Sequence, residues 1–408
     1  MTITPRVRTL AIIALALIVR IGAIATIEDP QQVPRSLAES DAPTYYVLAE
    51  NLLSGTGYRY GEDLQPTAKR TPGYPLLIAA TFKIFGRNFN AVRIVQCSLD
   101  VVTTSLIFCL TTLLFSSNLA GLLAALAYAL YPPAIFSTTY IMTETLYTFL
   151  LVGFTVTLMV SILTSNRWLS LAAGILLGLA TLTRPGVLFL PLCLLAVGVI
   201  LKRQLWKALL IFTVGFLVTI LPWGARNYRT HGKWIMTSTL VGANLYKGNH
   251  IPSQGAFFAS TDSLVPPPLR TKLATADEAT RDSILKAEAF RMIWANKGKI
   301  AILTLKKIPR LWLNLGYGRL SSKKSIALAV SHLALLGLAI YGLNSIVADR
   351  RYLSFVPLAT IVFSTLAYLA VAAEVRFVFP LIPLVLPFAA GGFSRLILRT
   401  TGAKGERG

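Results

Sequence analysis

The sequence predicts an all-α protein, a polytopic integral-membrane bundle of about ten transmembrane helices. Three observations carry this. Of the 408 residues 54% are hydrophobic and only 14% are charged, too little charge to cover a soluble fold of this length. Apolar runs near 20 residues recur along the chain, about what a helix needs to cross a roughly 30 Å hydrocarbon core. The short loops between alternate runs are basic and nearly free of acids.

The first run follows Arg6 and Arg8 and ends in "AIA", a pattern shared by cleaved secretory signals and retained anchors. Its length and the Arg20 inside it favour a retained anchor near 9–27. Further spans are expected near 93–115, 119–136, 142–163, 168–183, 186–201, 207–224, 323–342, 352–372 and 377–396. The pair 168–183 and 186–201 is short and broken at "TRPG". The loops "SNRW", "LKRQLWK" and "ADRRY" and the tail "LILRTTGAKGERG" are basic, whereas "FSSN" carries no charge. The positive-inside rule then places both termini in the cytoplasm, and such short basic inner loops suit a bacterial inner membrane. The expected organisation is one membrane-embedded unit over 1–398, followed by a cytoplasmic tail over 399–408.

Two outer segments interrupt the spans. The first, 28–92, holds a helix begun by "SDAPTYY" and ended by "SGTGY", then "RTPGYPLLIAATFKIFG". That last piece is apolar for only about a dozen residues, so it suits a helix lying at the interface. The second, 225–322, carries "GANLYKGNH", the bend "VPPPLR" and a long helical run in which Trp294, Leu303, Ile308, Leu311 and Trp312 mix with Lys and Arg. This mixture predicts amphipathic helix on the membrane surface.

The net charge of +22 comes with no nucleic-acid motif. Anionic headgroups or a lipid-linked phosphate are better partners for cations flanking spans. Cys97, Cys109 and Cys193 lie in or beside apolar runs, without disulfide or metal-ligand spacing, and are expected as small buried side chains. There is no phosphate-binding glycine loop, no dinucleotide fingerprint and no HExxH. The three histidines, His231, His250 and His332, are scattered.

Asp41 has two readings, an N-cap ahead of Ala42 and Pro43 or a general base at the membrane face. Tyr45, one turn on, shares its helix face. Asp100, Glu144 and Glu374 sit within apolar runs, where an acid must be paired, face a cavity or lie near an interface. Glu144 and Glu374 fall at outer span ends, and Asp100 lies deeper, where pairing inside the bundle is expected. Arg70, Arg184, Arg226 and Arg376 also fall at the outer face. A lone interfacial arginine is a snorkelling anchor, but several that converge suit a phosphate.

The order of these segments is what carries a resemblance. "SDAPTYYVLAENLLSGTGY" is followed by "RTPGYPLLIAATFKIFGRNFNAVRIVQ" and "YPPAIFSTTYIMTETLYTFL". Then come "LATLTRPGVLFLP", "ILPWGARNYRTHGKW" with "GANLYKGNH", and "AAEVRFVFPLIPLVL". The set resembles the GT-C glycosyltransferases of the dolichyl-phosphate-mannose–protein mannosyltransferase type, which include the bacterial aminoarabinose transferases that modify lipid A. The resemblance implies a GT-C fold, a polyprenyl-phosphate sugar donor, an acceptor hydroxyl on a glycan, lipid or protein, and an active site at the outer face. It implies Asp41 as the base. It implies Glu144 as the second acid, holding a divalent metal ion or positioning the acceptor. Thr71 stands where the family has a cation, so Arg70 is the neighbouring candidate for the donor phosphate, beside Tyr74. Aminoarabinose transferases carry a large soluble domain past the last span, where this chain has its short tail, so acceptor choice does not transfer. The competing reading is a transporter or lipid flippase coupled to ions through Asp100, Glu144 and Glu374. Such proteins often show paired broken helices in two related halves, and none is visible here. A third reading is a non-catalytic scaffold of the cell envelope.

Overall fold

The computed structural model describes residues 5–27, 41–61, 63–252, 261–313, 323–371 and 373–400. The loop residues 28–40 and the tail from 401 lie outside the described residues.

Helix α1 (Pro5–Ala25) is the first span. After it come α2 (Ala42–Leu53), the two-residue strands β1 (Arg59–Tyr60) and β2 (Gln65–Pro66), and α3 (Gly73–Phe85). The strands pair antiparallel, Arg59 opposite Pro66 and Tyr60 opposite Gln65. Next are α4 (Phe89–Phe115), α5 (Asn118–Ala129), the short α6 (Pro132–Ser137), α7 (Glu144–Thr164), α8 (Arg167–Thr181), α9 (Leu190–Leu201) and α10 (Trp206–His231). A surface group follows, α11 (Val241–Asn249), α12 (Thr261–Leu264), α13 (Pro267–Ala274), α14 (Glu278–Ala295) and α15 (Lys297–Leu313). Helices α16 (Lys323–Leu343), α17 (Phe355–Val371) and α18 (Ile382–Thr400) return to the bundle.

Side chains on the boundary residues account for several helix starts. Asn88, Ser117, Asn166 and Asp277 each accept from backbone N–H groups of the helix they precede, satisfying donors that have no intrahelical partner. Among the described residues seven helices are long and apolar enough to cross a membrane, and the chain is a multi-pass membrane protein. Residues 73–85, 118–129, 167–181 and 185–201 form shorter apolar helices. The span expected at 119–136 is therefore a correction. Helix α5 ends at Ala129, and Pro132 and Pro133 open a separate helix, because proline supplies no N–H to continue the preceding ladder. The tight pair around "TRPG" is present as α8 and α9. Helices α8 and α10 touch backbone to backbone: a Cβ on Gly174 would lie 1.9 Å from the Phe212 carbonyl oxygen, so only glycine fits.

Deep in the bundle Asp100 is bonded to Arg20 and to the Tyr128 hydroxyl. Arg20 is fully buried and also donates to the Ala129 and Ala16 carbonyls at 2.9 and 3.2 Å. This is the pairing expected of an acid within an apolar run. It joins α1 to α4 and α5. Of the three cysteines expected to be buried, Cys97 is buried and Cys193 half-buried, while Cys109 is a correction, exposed on α4.

One end of the bundle is closed by short loops. There Val347 N–H donates to the Leu114 carbonyl and Arg350 to that of Leu113, and Lys202 stands 4.4 Å from the Tyr352 ring centre. The opposite end carries α2, α3 and the surface group. Glu278 at the start of α14 accepts from Thr67 Oγ1, Ala68 N and Thr239 Oγ1 at 2.6, 2.8 and 2.5 Å. That one carboxylate ties the strand loop to α14. On α15, Leu303, Leu311 and Trp312 face inward while Ile308 is exposed, and on α14 Trp294 is exposed. Lys307 is buried on the inner face of α15, donating to the Leu369 carbonyl at 2.9 Å and to Asn249 Oδ1 at 3.3 Å. Burial pulls its ammonium down to about 8, with Arg310 adding to the effect.

Candidate functional site

At Asp41 the chain enters α2 already in the right-handed helical region, φ −88° and ψ −21°, and the carboxylate makes no capping bond. The capping alternative is thereby excluded, since a cap needs extended backbone to turn its oxygen onto the first turn. Oδ1 instead accepts from Arg70 Nη2 at 2.5 Å. Among the described residues nothing donates to Oδ2, and a fifth of the side chain is open.

Arg70 is held by the segment that surrounds it. The Tyr58 hydroxyl donates to the Arg70 and Thr71 carbonyls, both at 3.1 Å. Burial drives this phenol well up, so it stays a donor. Thr71 Oγ1 donates to the Thr183 carbonyl at 3.0 Å, and Gly73 N to that of Leu182 at 2.8 Å. A Cβ on Gly73 would lie 2.6 Å from Thr183 Oγ1. This close approach sets "RTPGYP" against "LTRP", and so sets Arg70 near Arg184.

Glu144 is the first residue of α7 and is buried. Its Oε1 lies 3.2 Å from Arg184 Nη1 in the α8–α9 turn, so it is more than a plain helix-end acid. The Arg184 guanidinium also faces the rings of Phe377 and Tyr147, at 5.3 and 5.8 Å. Tyr45 joins this pair to the first. Its ring carries the Arg70 guanidinium at 5.6 Å and meets Tyr74 edge-on at 5.2 Å. Burial raises its phenol; Arg70 and Arg184 oppose the shift while Asp41 and Glu144 add to it. All four charges therefore act on one neutral hydroxyl.

A third pair, Glu374 with Arg376 at 2.9 Å, stands at the turn before α18. Arg376 faces Phe377 at 5.4 Å. Lys247 on α11 completes the set. Burial lowers its ammonium, Arg70 acting in the same sense and Glu374 and Asp41 against it. Sequence reasoning missed Lys247, because within "GANLYKGNH" no acid neighbours it. Its surroundings come from α17, to which Asn249 is tied by a 2.8 Å bond to the Ala370 carbonyl. The Tyr147 and Tyr368 rings were missed for the same reason, being two among many aromatics in apolar runs.

Asp41, Tyr45, Arg70, Glu144, Arg184, Glu374 and Arg376 thus come together. Tyr74 and Arg226 stand behind them as scaffold. Tyr74 is fully buried and donates to Gln96 Oε1 at 2.6 Å, and Gln96 in turn holds the Thr138 and Tyr140 carbonyls. Arg226 donates to the carbonyls of Thr67 and Tyr58, at 2.7 and 2.9 Å, and braces the strand loop.

A divalent ion at Glu144 does not fit these residues. Among the described residues no three His, Cys, Asp or Glu side chains converge, and the Glu144 carboxylate faces a guanidinium where a second anionic ligand would be needed. What the cluster does hold is an excess of cations: Arg70, Arg184, Arg376 and Lys247 against Asp41, Glu144 and Glu374. Arg70 Nε and Glu374 Oε1 are buried there without a hydrogen bond, while Arg184 Nη1 and Arg376 Nε face the carboxylates of Glu144 and Glu374. An anion can be bound by such a set, and a hydroxyl can be deprotonated at Asp41 Oδ2.

Two solved structures are similar to this chain over most of its length. One is ArnT from Cupriavidus metallidurans bound to undecaprenyl phosphate, 14% identical, with 95% of this chain and 78% of that one covered at a TM-score of 0.44. The other is the same protein in the apo state, 13% identical, with 94% and 77% covered at 0.44. No curated protein matches the chain. Residues 69–224 match the model of the family described as dolichyl-phosphate-mannose-protein mannosyltransferase. The stretch that supplies Arg70, Tyr74, Glu144 and Arg184 is therefore similar to the family that the ordered motifs resemble.

Proposed function

We propose that the protein is a membrane glycosyltransferase that moves a sugar from a polyprenyl-phosphate-linked donor to an acceptor hydroxyl at the outer face. The observation that carries this reading is the convergence of Asp41–Arg70 and Glu144–Arg184 on Tyr45. Together they supply a carboxylate with an open oxygen and two guanidinium groups, and Lys247 adds the cation that leaves the cluster net positive. The match over 69–224 supports the same reaction class. The acceptor is a glycan, lipid or protein hydroxyl, and the surrounding membrane lipids hold the donor's tail.

In the reaction the acceptor oxygen attacks the anomeric carbon and the bond from that carbon to the phosphate oxygen breaks. The polyprenyl phosphate leaves as an anion, so it needs cations rather than a general acid. Asp41 takes the acceptor proton. Arg70 links the two events: its guanidinium, bonded to Asp41 Oδ1, is also within the cluster that meets the arriving phosphate. Arg184, steered by Glu144, meets the phosphate from the other side. A single direct displacement inverts the anomeric centre.

The test is transfer by purified protein in detergent, with a polyprenyl-phosphate sugar and an alcohol acceptor, followed by NMR of the product. Inverted product is expected. Retained configuration would overturn the direct displacement. Activity that appears only in sealed vesicles would favour the transporter reading.

A further inference from the structure

We propose that Asn249 and Lys307 are positioning residues for the site: together they clamp the end of α17 to α11 and α15, and so hold Lys247 in register with Glu374 and Arg376. The inference rests on the donor reading above and names the residues that keep its cation cluster assembled.

Both side chains are buried, Asn249 2% and Lys307 1% exposed. Asn249 is the last residue of α11 and uses both ends of its amide. Nδ2 donates to the Leu245 carbonyl of its own helix at 2.9 Å and to the Ala370 carbonyl of α17 at 2.8 Å. Oδ1 accepts from Lys307 Nζ of α15 at 3.3 Å, and the same ammonium donates to the Leu369 carbonyl at 2.9 Å. Leu369 and Ala370 lie in the last turn of α17, which ends at Val371. Carbonyls there have no donor within their own helix. Side chains from two other helices satisfy them, and a cation suits the negative end of the helix dipole.

The place of the clamp gives it a role beyond capping. Two segments that carry site residues run from it. Lys247 lies two residues before Asn249 on α11, and its ammonium interacts with Glu374, Arg70 and Asp41. Glu374 and Arg376 follow Ala370 within six residues, leading into the short turn Val375–Phe377 on which α15 packs. Capping α17 alone asks for no more than a neutral donor, and a buried ammonium is a costly choice for that task. What the ammonium adds is its second bond, to Asn249, which carries the connection from α15 into α11. Sliding α11 along α17 would break that bond and the Asn249–Ala370 bond together. It would also move Lys247 away from Glu374 and the Asp41–Arg70 pair, and the cluster would lose the cation that leaves it net positive.

The experiment measures undecaprenyl phosphate binding by the full-length protein in detergent for wild type, Asn249→Ala, Lys307→Met, Lys247→Ala and the two double variants that add Lys247→Ala. Each single substitution should weaken binding about tenfold, the loss of one charge-assisted contact. For Lys307→Met the melting temperature at pH 7.5 should change little, because two lost hydrogen bonds are offset by removal of a buried charge. Residues that act through Lys247 add nothing once it is gone, so both double variants should bind like Lys247→Ala alone. A clamp that only stabilises the fold would give effects that multiply, and that result overturns the proposal. Wild-type affinity in Lys247→Ala, or in both Asn249→Ala and Lys307→Met, overturns it as well and leaves the donor reading standing. If Asn249→Ala does not fold, Lys307→Met decides alone, since methionine keeps the side-chain volume. If wild type binds no undecaprenyl phosphate, the donor reading itself falls, and the role of the clamp with it.

Discussion

At Asp41 the backbone decides between helix cap and base. Right-handed torsions at that residue turn its carboxylate away from the first turn of α2, so its strongest partner is Arg70, far along the chain. The guanidinium does two things at once: it pairs with the carboxylate and it places a cation beside the Tyr45 ring. For Arg70→Ala we expect donor KM to rise and kcat/KM to fall about 10–100-fold, since the charge-assisted bond to Asp41 and the proposed phosphate contact are both lost. Steady-state kinetics against donor concentration checks this, and an unchanged donor KM would remove Arg70 from the phosphate site. Asp41, Glu144 and Glu374 stood out in the sequence because acids are costly near lipid. Which arginine Asp41 and Glu144 would meet was not legible, because these pairings join α2 to the loop before α3, and α7 to the α8–α9 turn.

Elements place these residues, and two contacts matter most. The first is the approach of α3 to the α8–α9 turn at Gly73. Gly73→Val would push its side chain into Thr183 and the Leu182 carbonyl, separating Arg70 from Arg184. Donor affinity and the melting temperature should both fall, by more than for an exposed glycine such as Gly298. The second contact is Lys307 of α15 against α11 and α17. Burial lowers its folded-state value to about 8 from an ordinary 10.5, so the charged form weakens the fold. That penalty is complete below pH 8 and disappears as pH rises towards 10.5. Stability should therefore rise across this window by at most about 3 kcal/mol, and Lys307→Met should flatten the slope. Thermal unfolding in detergent between pH 7.5 and 10 measures both. The helices themselves were largely readable, since a hydrophobic run near 20 residues has few other outcomes. The break after Ala129 was not, because "YPP" was absorbed into a continuous apolar run although its prolines mark a boundary.

Across the whole molecule, polar groups occupy two layers. The Arg20–Asp100–Tyr128 cluster sits within the bundle and fixes α1 against α4 and α5. The charged cluster at the end of the bundle is the candidate site. The first was foreseeable in outline from Asp100 and Arg20 in apolar runs; the second needed the chain order of the motifs to suggest that segments so far apart converge. Removing one partner of a buried pair leaves the other uncompensated. Asp100→Ala should cost about 3–5 kcal/mol of stability, and Arg20→Met/Asp100→Leu should recover most of it. Equal unfolding midpoints for Asp100→Ala and wild type would contradict a structural role for the pair.

On the proposed function, one carboxylate at the membrane boundary, that of Asp41, activates the acceptor. The most direct measurement of this is single-turnover sugar transfer by Asp41→Asn in detergent, alongside undecaprenyl phosphate binding by the same preparation. Transfer slowed by about 10²–10⁴-fold with lipid binding retained is expected. Transfer at the wild-type rate would contradict it.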